Sequence, residues 1–335
     1  MSVAWQFYFS TLLIYLAVNV MAVWGLNLQF GVAGISSFAF IVFQAAGAYT
    51  AGVLTLGPST NASFQQYVGG ANLPFPLPVI AAGLVGGLLA GLVGLVGIRR
   101  LRTDYQAMVM LVISLTATYL ADNQTNVVNG PAGLSLVPKP LEGGLGLSTI
   151  SYQWFYVGLA AAFCVIIYWF VRRYTNSPLG RATRAVRDNE QAAAALGKNV
   201  FGLRMIAFVA GGVIAGISGA VFVEFIGAWS PGSWLYPETF VLFTAILVGG
   251  TGNNVGVAVG ALLVPIGFLE STRFLPNIGY PGFVDALQWI AVGVLALIFL
   301  WFWPRGVIPE RKRRFPHPGE KPVGLAALRL LRLRR

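Results

Sequence analysis

Charge is what this sequence holds least of. Of its 335 residues 10% are Asp, Glu, Lys or Arg and 56% are hydrophobic, whereas ordinary soluble domains carry about 25% charged residues. Between Met1 and Ile98 there is no Asp, Glu, Lys, Arg or His. A soluble protein needs a charged surface, so a stretch of this length without one excludes an oversized buried core and leaves the bilayer as solvent. Cysteine is nearly absent: Cys164 stands alone in an apolar run, which excludes an intrachain disulfide and a cysteine-based metal cluster. Histidine is as scarce, and His317, in Phe315-Pro316-His317-Pro318, is too isolated to build a metal site or a catalytic dyad. A phosphate-cradling loop of the form Gly-x-x-x-x-Gly-Lys-Ser/Thr is missing too. Gly197-Lys198 is followed by Asn199, and Ala192 stands where the first glycine would be. Titratable residues that approach the apolar runs, Glu224, Glu238 and Glu270, fall at their ends, so intramembrane acid–base catalysis has no groups to work with. Catalysis by this chain is not expected.

The net charge of +11 would by itself suggest nucleic acid or an anionic surface as partner, but the placement of the basic residues removes nucleic acid from consideration. All but Lys139 and Arg273 form three blocks: Arg99, Arg100 and Arg102; Arg172, Arg173, Arg181, Arg184, Arg187, Lys198 and Arg204; and ten residues from Arg305 to Arg335. Apolar runs between polar and Gly/Pro punctuation predict nine spans, with eight to ten as the range, near 7–26, 33–56, 78–98, 105–121, 152–171, 203–223, 238–249, 255–269 and 284–303. With the N-terminus outside, spans three, five and nine each deliver a basic block to the cytoplasmic side, as positively charged loops require. The fold class expected is an all-α, polytopic membrane bundle with a cytoplasmic C-terminus: a single transmembrane domain over 1–304 and a basic cytoplasmic tail over 305–335. The first apolar stretch is as long as a span and has no basic region before it, so it is expected to stay in the mature protein. Spans seven and eight are short, and the glycine-rich 249–254 stretch between them suits two tilted spans or a broken element lining a cavity.

Small residues recur at four-residue spacing in span three (Gly83, Gly87, Gly91) and span six (Gly212, Gly216, Ala220), a pattern that lets helix backbones approach where lipid provides no hydrophobic drive. Between spans five and six, the segment 177–199 has Ser177 placed to cap a helix, Pro178 in its first turn and Gly197 past its end. Leu179, Ala182, Val186, Ala193 and Leu196 fall near one face of that helix, while Arg181, Arg184, Arg187, Asp188 and Glu190 populate the rest. A helix lying on anionic lipid is the plainer reading, but the two acidic residues and the alanine-rich face would anchor poorly.

The run from Ser177-Pro178-Leu179-Gly180-Arg181 through Leu196-Gly197 to Ala207-Phe208 resembles the cytoplasmic signature of branched-chain amino acid ABC permeases of the LivM/LivH type. The likeness extends to Leu26-Asn27-Leu28-Gln29-Phe30-Gly31-Val32-Ala33-Gly34, Gly47-Ala48-Tyr49-Thr50, Arg102-Thr103-Asp104-Tyr105, Asn129-Gly130-Pro131-Ala132-Gly133-Leu134, the run Gly249 to Gly256 and Pro304-Arg305-Gly306, in an order closer to the LivM branch. Ser37-Phe38-Ala39-Phe40, Thr251 and Asn253-Asn254 depart from the family pattern, and these departures bear on the solute more than on the family. The resemblance implies an importer subunit of the prokaryotic cytoplasmic (inner) membrane that needs no cofactor of its own. ATP and Mg would sit on two separate cytoplasmic ATPase subunits, a homologous second permease would complete the path, and an extracytoplasmic solute-binding protein would deliver the solute. It also assigns Arg181, Arg184, Arg187, Asp188, Glu190, Leu196 and Gly197 to coupling with the ATPases. For the path of an apolar zwitterion, Asn27, Gln29, Ser36, Ser37, Gln44 and Thr50 in helices one and two offer hydrogen-bonding groups, although bonding between helices is the commoner use of such side chains.

Two other classes remain open on the residues alone. An ion-coupled secondary carrier would need an ionisable group near the midplane, for which Glu224 is the candidate, against its reading as an interfacial carboxylate. A channel or scaffold is the third class. The solute stays open among leucine, isoleucine and valine, other amino acids, and small amides such as urea. Because the phosphate loop is missing, the purified chain alone is expected to release no phosphate from ATP above a no-protein blank, and robust hydrolysis by it would contradict this reading.

Overall fold

The computed structural model describes residues 3–58, 65–101, 103–142, 146–272 and 283–310. Among these residues the chain is helical, with two isolated β-bridges and no strand. Helix α1 (Val3–Asn27) widens into a π-helical turn at Leu28–Val32, and Gly34 at φ +71° reverses the chain into α2 (Phe40–Thr55). Then come α3 (Leu77–Arg100), α4 (Thr103–Asn123), the short α5 (Thr125–Val128) and α6 (Thr149–Asn176), whose first turn is capped by the Ser148 hydroxyl. Next are α7 (Pro178–Asp188), α8 (Glu190–Ala195) and α9 (Val200–Ile226), followed by α10 (Tyr236–Gly249) and α11 (Asn254–Ala261). A π-helical stretch, Leu262–Phe268, carries α11 past Pro265 into α12 (Leu269–Thr272), and α13 is Phe283–Phe302. A proline inside a helix leaves a carbonyl four residues back without its N–H, and the widened turn accommodates that loss.

Five helices are long and apolar enough to cross a membrane: Val3–Val32, Leu77–Arg99, Tyr105–Asn123, Thr149–Asn176 and Val200–Ile226. Three shorter apolar ones, Phe40–Thr55, Asn254–Phe268 and Ala286–Phe302, join them. Residues 311–335, which hold most of the expected basic tail, lie outside the described residues, as do Arg102 and Arg273. The second span begins later than the sequence suggests, at Phe40 instead of residue 33, so Ser36 and Ser37 sit in the turn between α1 and α2 and not on a helix.

Helix α9 is the hub, packed against α2, α3 and α1. Its glycines permit this. A methyl group on Gly216 would overlap the carbonyl of Ala82, one on Gly219 the carbonyl of Gln44, and one on Gly47 of α2 would strike Gly216 itself. Backbones this close gain dispersion and weak Cα–H···O contacts that longer side chains would forbid. The partner row on α3 differs from the one the sequence suggests: Ala82, Gly86 and Ala90 meet the backbone of Gly212 and Gly216, while Gly83 and Gly87 face the side chains of Ile217 and Val213, and Gly91 that of Val209. Both rows have the same four-residue period and lie about 100° apart on the helix, so spacing alone does not choose between them. The outer row's neighbours Leu84, Leu88 and Leu92 are exposed, as a lipid-facing surface would be.

Glu224, read from the sequence as interfacial, is 2% exposed near the end of α9, although Ile226 two residues on is 42% exposed. Gly216→Leu is expected to destabilise the protein by about 3 kcal/mol or more through overpacking. Gly158→Ala, where a Cβ meets nothing within 4 Å, should be neutral or slightly stabilising. Thermal midpoints of the two detergent-solubilised variants check this, and equal midpoints would contradict the close-packed hub.

Candidate functional site

The ends of α1, α6, α10 and α13 and the start of α11 gather at one end of the bundle, together with the basic segment α7–α8. The order there is built by asparagines. Asn27 Oδ1 accepts from the Gly252 N–H at 3.0 Å and its amide reaches Asn254 Oδ1 at 3.4 Å. Asn254 Nδ2 donates to Thr175 Oγ1 at 3.0 Å, and Trp24 Nε1 donates to the Asn254 carbonyl at 2.8 Å. Asn253 caps α11 through the Val255 and Gly256 N–H groups and donates to the carbonyls of Ile308 and Pro309. Gln29 Nε2 donates to the Phe208 carbonyl in the body of α9 at 2.8 Å. Helix ends leave unpaired carbonyls and N–H groups, and these side chains satisfy them where water is scarce.

The 177–199 segment, expected from sequence as one helix, is two. Asn189 takes an extended conformation (φ −155°, ψ 102°) and its side chain accepts from the Ala192 N–H, ending α7 and starting α8. An asparagine offers the backbone this alternative wherever packing does not hold the helix straight. Val186 and Ala193 are buried, as the predicted packing face requires, but Leu179 is 48% and Leu196 78% exposed. Arg184 and Arg187 turn inward. Arg184 Nε lies 2.8 Å from Glu310 Oε1, Arg187 NH2 lies 3.0 Å from Glu310 Oε2, and Arg187 NH1 donates to the Gly31 carbonyl. The Arg184 contact is a coulombic pairing off the hydrogen-bond angle, and the same guanidinium donates to the Thr175 carbonyl at 3.0 Å. Burial lowers the Arg184 pKa from its ordinary value; the Glu310 carboxylate opposes that shift, and Arg187 beside it adds to it. Arg204 pairs with Glu190 at 3.1 Å, and Asp188 with Arg187. Of the residues assigned to coupling from sequence, Arg181, Asp188, Glu190, Leu196 and Gly197 are exposed.

Toward the opposite end a cavity of about 520 Å³ opens between α1, α2, α10, α11–α12 and α13, within the size range of small-molecule sites. Its walls mix apolar groups (Val18, Ile41, Val241, Leu242, Ile266) with polar ones (Thr11, Asn19, Gln44, Trp229, Glu238, Gln288). Trp229 is 2% exposed, and neither its Nε1 nor Thr11 Oγ1 has a partner among the described residues. Beside the cavity the Phe38 ring lies tilted against Phe240 at 5.1 Å and Phe243 at 4.9 Å between centroids, and Phe30 meets Phe243 edge-on at 5.1 Å.

Of the six polar residues offered for a path, Gln44 lines this cavity. Asn27 and Gln29 serve the junction described above, Ser36 and Ser37 lie in the turn, and Thr50 bonds the Ala46 carbonyl of its own helix at 2.7 Å. Sequence reasoning passed over Glu310, Asn253 and Asn254, and the cavity residues Thr11, Trp229 and Glu238. For Asn253-Asn254 the signal was present, an Asn pair opening a predicted helix. For Glu310 it was not, since one carboxylate beside a basic tail looks like a solvated surface charge.

Residues 8–303 match the family described as the permease component of the branched-chain amino acid transport system. The chain is 28% identical over 331 residues to a probable branched-chain amino acid transport permease protein LivM of Methanocaldococcus jannaschii, covering 90% of this chain and 93% of that protein. It is 27% identical to the high-affinity branched-chain amino acid transport system permease protein LivM of Escherichia coli, over 92% of this chain and 73% of that one. A guanosine ABC transporter permease protein, NupQ of Bacillus subtilis, is 27% identical over 68% of this chain and 72% of its own. No solved structure matches. With a helical, apolar bundle and a family match that spans nearly all of it, this chain belongs to the branched-chain amino acid transport system permease family.

Proposed function

We propose that this chain is one of two permease subunits of an ABC importer for branched-chain or related aliphatic amino acids, in the cytoplasmic membrane of a prokaryote. The observation that carries the reading is the family match over residues 8–303, joined to a charged two-helix segment at the basic end of the bundle. The five long and three shorter apolar helices, with α10, make nine spans; placing the basic end inside satisfies the positive-inside rule. The N-terminus is then outside, and the cavity faces the side where a binding protein would release its solute.

Alternating access follows from this arrangement. On this reading the cavity lies toward the outer side, and the contacts among Phe30, Phe38, Phe240 and Phe243 beside it would rearrange as the path opens inward. ATP-driven closure of two ATPase subunits would displace α7–α8, whose exposed Arg181, Asp188, Leu196 and Gly197 supply the docking surface, and shift the inner ends of α1, α10 and α11. The apolar wall residues suit an aliphatic side chain, and Trp229 Nε1, Thr11 Oγ1 and the Glu238 carboxyl suit the polar end of a zwitterion. A site that leaves donors unpaired favours the solute that pairs them.

Co-purification in mild detergent tests the class. The chain should bring down a second permease and ATPase subunits, and ATP with the binding protein should drive leucine uptake into proteoliposomes; uptake driven by an ion gradient alone would replace this reading with a secondary carrier. Topology is checked by cysteine labelling in intact cells: a cysteine at Ser135 should react with an impermeant reagent and one at Asn189 should not, and the reverse pattern would overturn the orientation.

A further inference from the structure

One carboxylate, that of Glu310, holds two arginines of α7 at once. Its Oε1 lies 2.8 Å from Arg184 Nε and its Oε2 3.0 Å from Arg187 NH2, with the three side chains between 20% and 26% exposed. Immediately upstream, the chain that leaves α13 is pinned elsewhere. The N–H groups of Val307 and Ile308 donate to the carbonyls of Val248 and Gly249 at 2.8 and 3.0 Å, at the end of α10, and Asn253 donates to the carbonyls of Ile308 and Pro309 at 3.2 Å each. Residues 303–310 thus form a strap, with one end fixed by charge to α7 and the other by backbone bonds to the inner end of α10. At its outer end α10 supplies Glu238, Val241 and Leu242 to the cavity.

An exposed ion pair would add little to such a connection. This one differs in that a single, largely covered carboxylate spans two guanidinium groups, accepting a charge-assisted hydrogen bond from Arg187, the strong kind, and pairing coulombically with Arg184. Arg187 is held from a third side as well by the Gly31 carbonyl at the end of α1. We infer that Glu310 is a positioning residue for energy coupling: it ties α7 to the inner end of α10, so that displacement of the coupling segment is passed to a helix that lines the solute cavity. Without the bridge, α7 could move while α10 stayed behind, and ATP would be hydrolysed without transport. This inference rests on the reading of the chain as an ABC permease.

The test uses the whole transporter, this chain with its second permease, ATPases and binding protein, in proteoliposomes, and reads leucine taken up per ATP hydrolysed. For Glu310→Gln and Glu310→Ala that ratio should fall about fivefold or more, a typical scale for coupling between sites, while ATP hydrolysis and ATPase co-purification persist. Exchanging the charges, Glu310→Arg with Arg184→Glu and Arg187→Glu, should recover much of the ratio lost in Glu310→Arg alone. Glu310→Gln keeps the side-chain shape, so it carries the test should Glu310→Ala fold poorly. An unchanged ratio in Glu310→Gln and Glu310→Ala would overturn the inference, and so would a parallel loss of folded protein, hydrolysis and uptake that the charge exchange does not relieve. Failure of the underlying reading looks different: the wild-type assembly itself would show no ATP-dependent uptake.

Discussion

Inside a bilayer a backbone N–H or C=O without a partner costs several kcal/mol, and the basic end of this protein is where that constraint is hardest to meet. There α1 opens into a π-turn, α10 stops at Gly249, and the chain turns at Gly250 (φ +116°) and Gly252 (φ +78°) before α11 begins. Each interruption frees polar groups. Asn27, Asn253 and Asn254 and the returning 307–308 backbone take them up, so the broken elements become one cross-linked junction. The arginines of α7 plug into the same junction through Gly31 and Glu310. Structural satisfaction and mechanical connection are here the same set of bonds.

The hub helix α9 solves a different problem. Lipid offers apolar side chains no reason to leave it, so α9 holds α2 and α3 by shape, with Gly212, Gly216 and Gly219 bringing backbones into contact. It forms a fixed body beside which α10 and α11 are held by fewer such approaches. Gly249, Gly256 and Gly260 let those two helices pack tightly against each other, and the pair meets the junction at its inner end and the cavity at its outer half. The cavity thus has α10 for one wall, beside the closely packed α3–α9 contact.

Much of the bundle was legible from composition alone, because the charge-free first 98 residues and the three basic blocks admit few arrangements. The family was legible from the motifs around α7 and the Gly249–Gly256 turn. Three features were not. Asn189 divides the 177–199 segment because a local cap competes with helix continuation, and propensity rules do not rank that competition. The packing row on α3 is shifted by one residue, since two small-residue rows share its period. The polar residues of helices one and two were read as path because they are polar and intramembrane, yet Asn27 bonds the Gly252 N–H and the Asn254 side chain, and the Gln29 amide bonds the Phe208 carbonyl, partners about 180 to 225 positions away. Long-range pairing of that kind leaves no local trace, and Glu310 is its clearest case.

The central claim is that the coupling segment and the cavity helix α10 move as a connected pair relative to the α3–α9 slab. Spin labels at the exposed positions Leu196 on the coupling segment and Tyr236 at the outer end of α10, each paired with one at Leu84 on α3, measure this in the reconstituted transporter by double electron–electron resonance. On trapping ATP, both distances to Leu84 should change together. A shift at Leu196 with the Tyr236 distance unmoved would contradict the account.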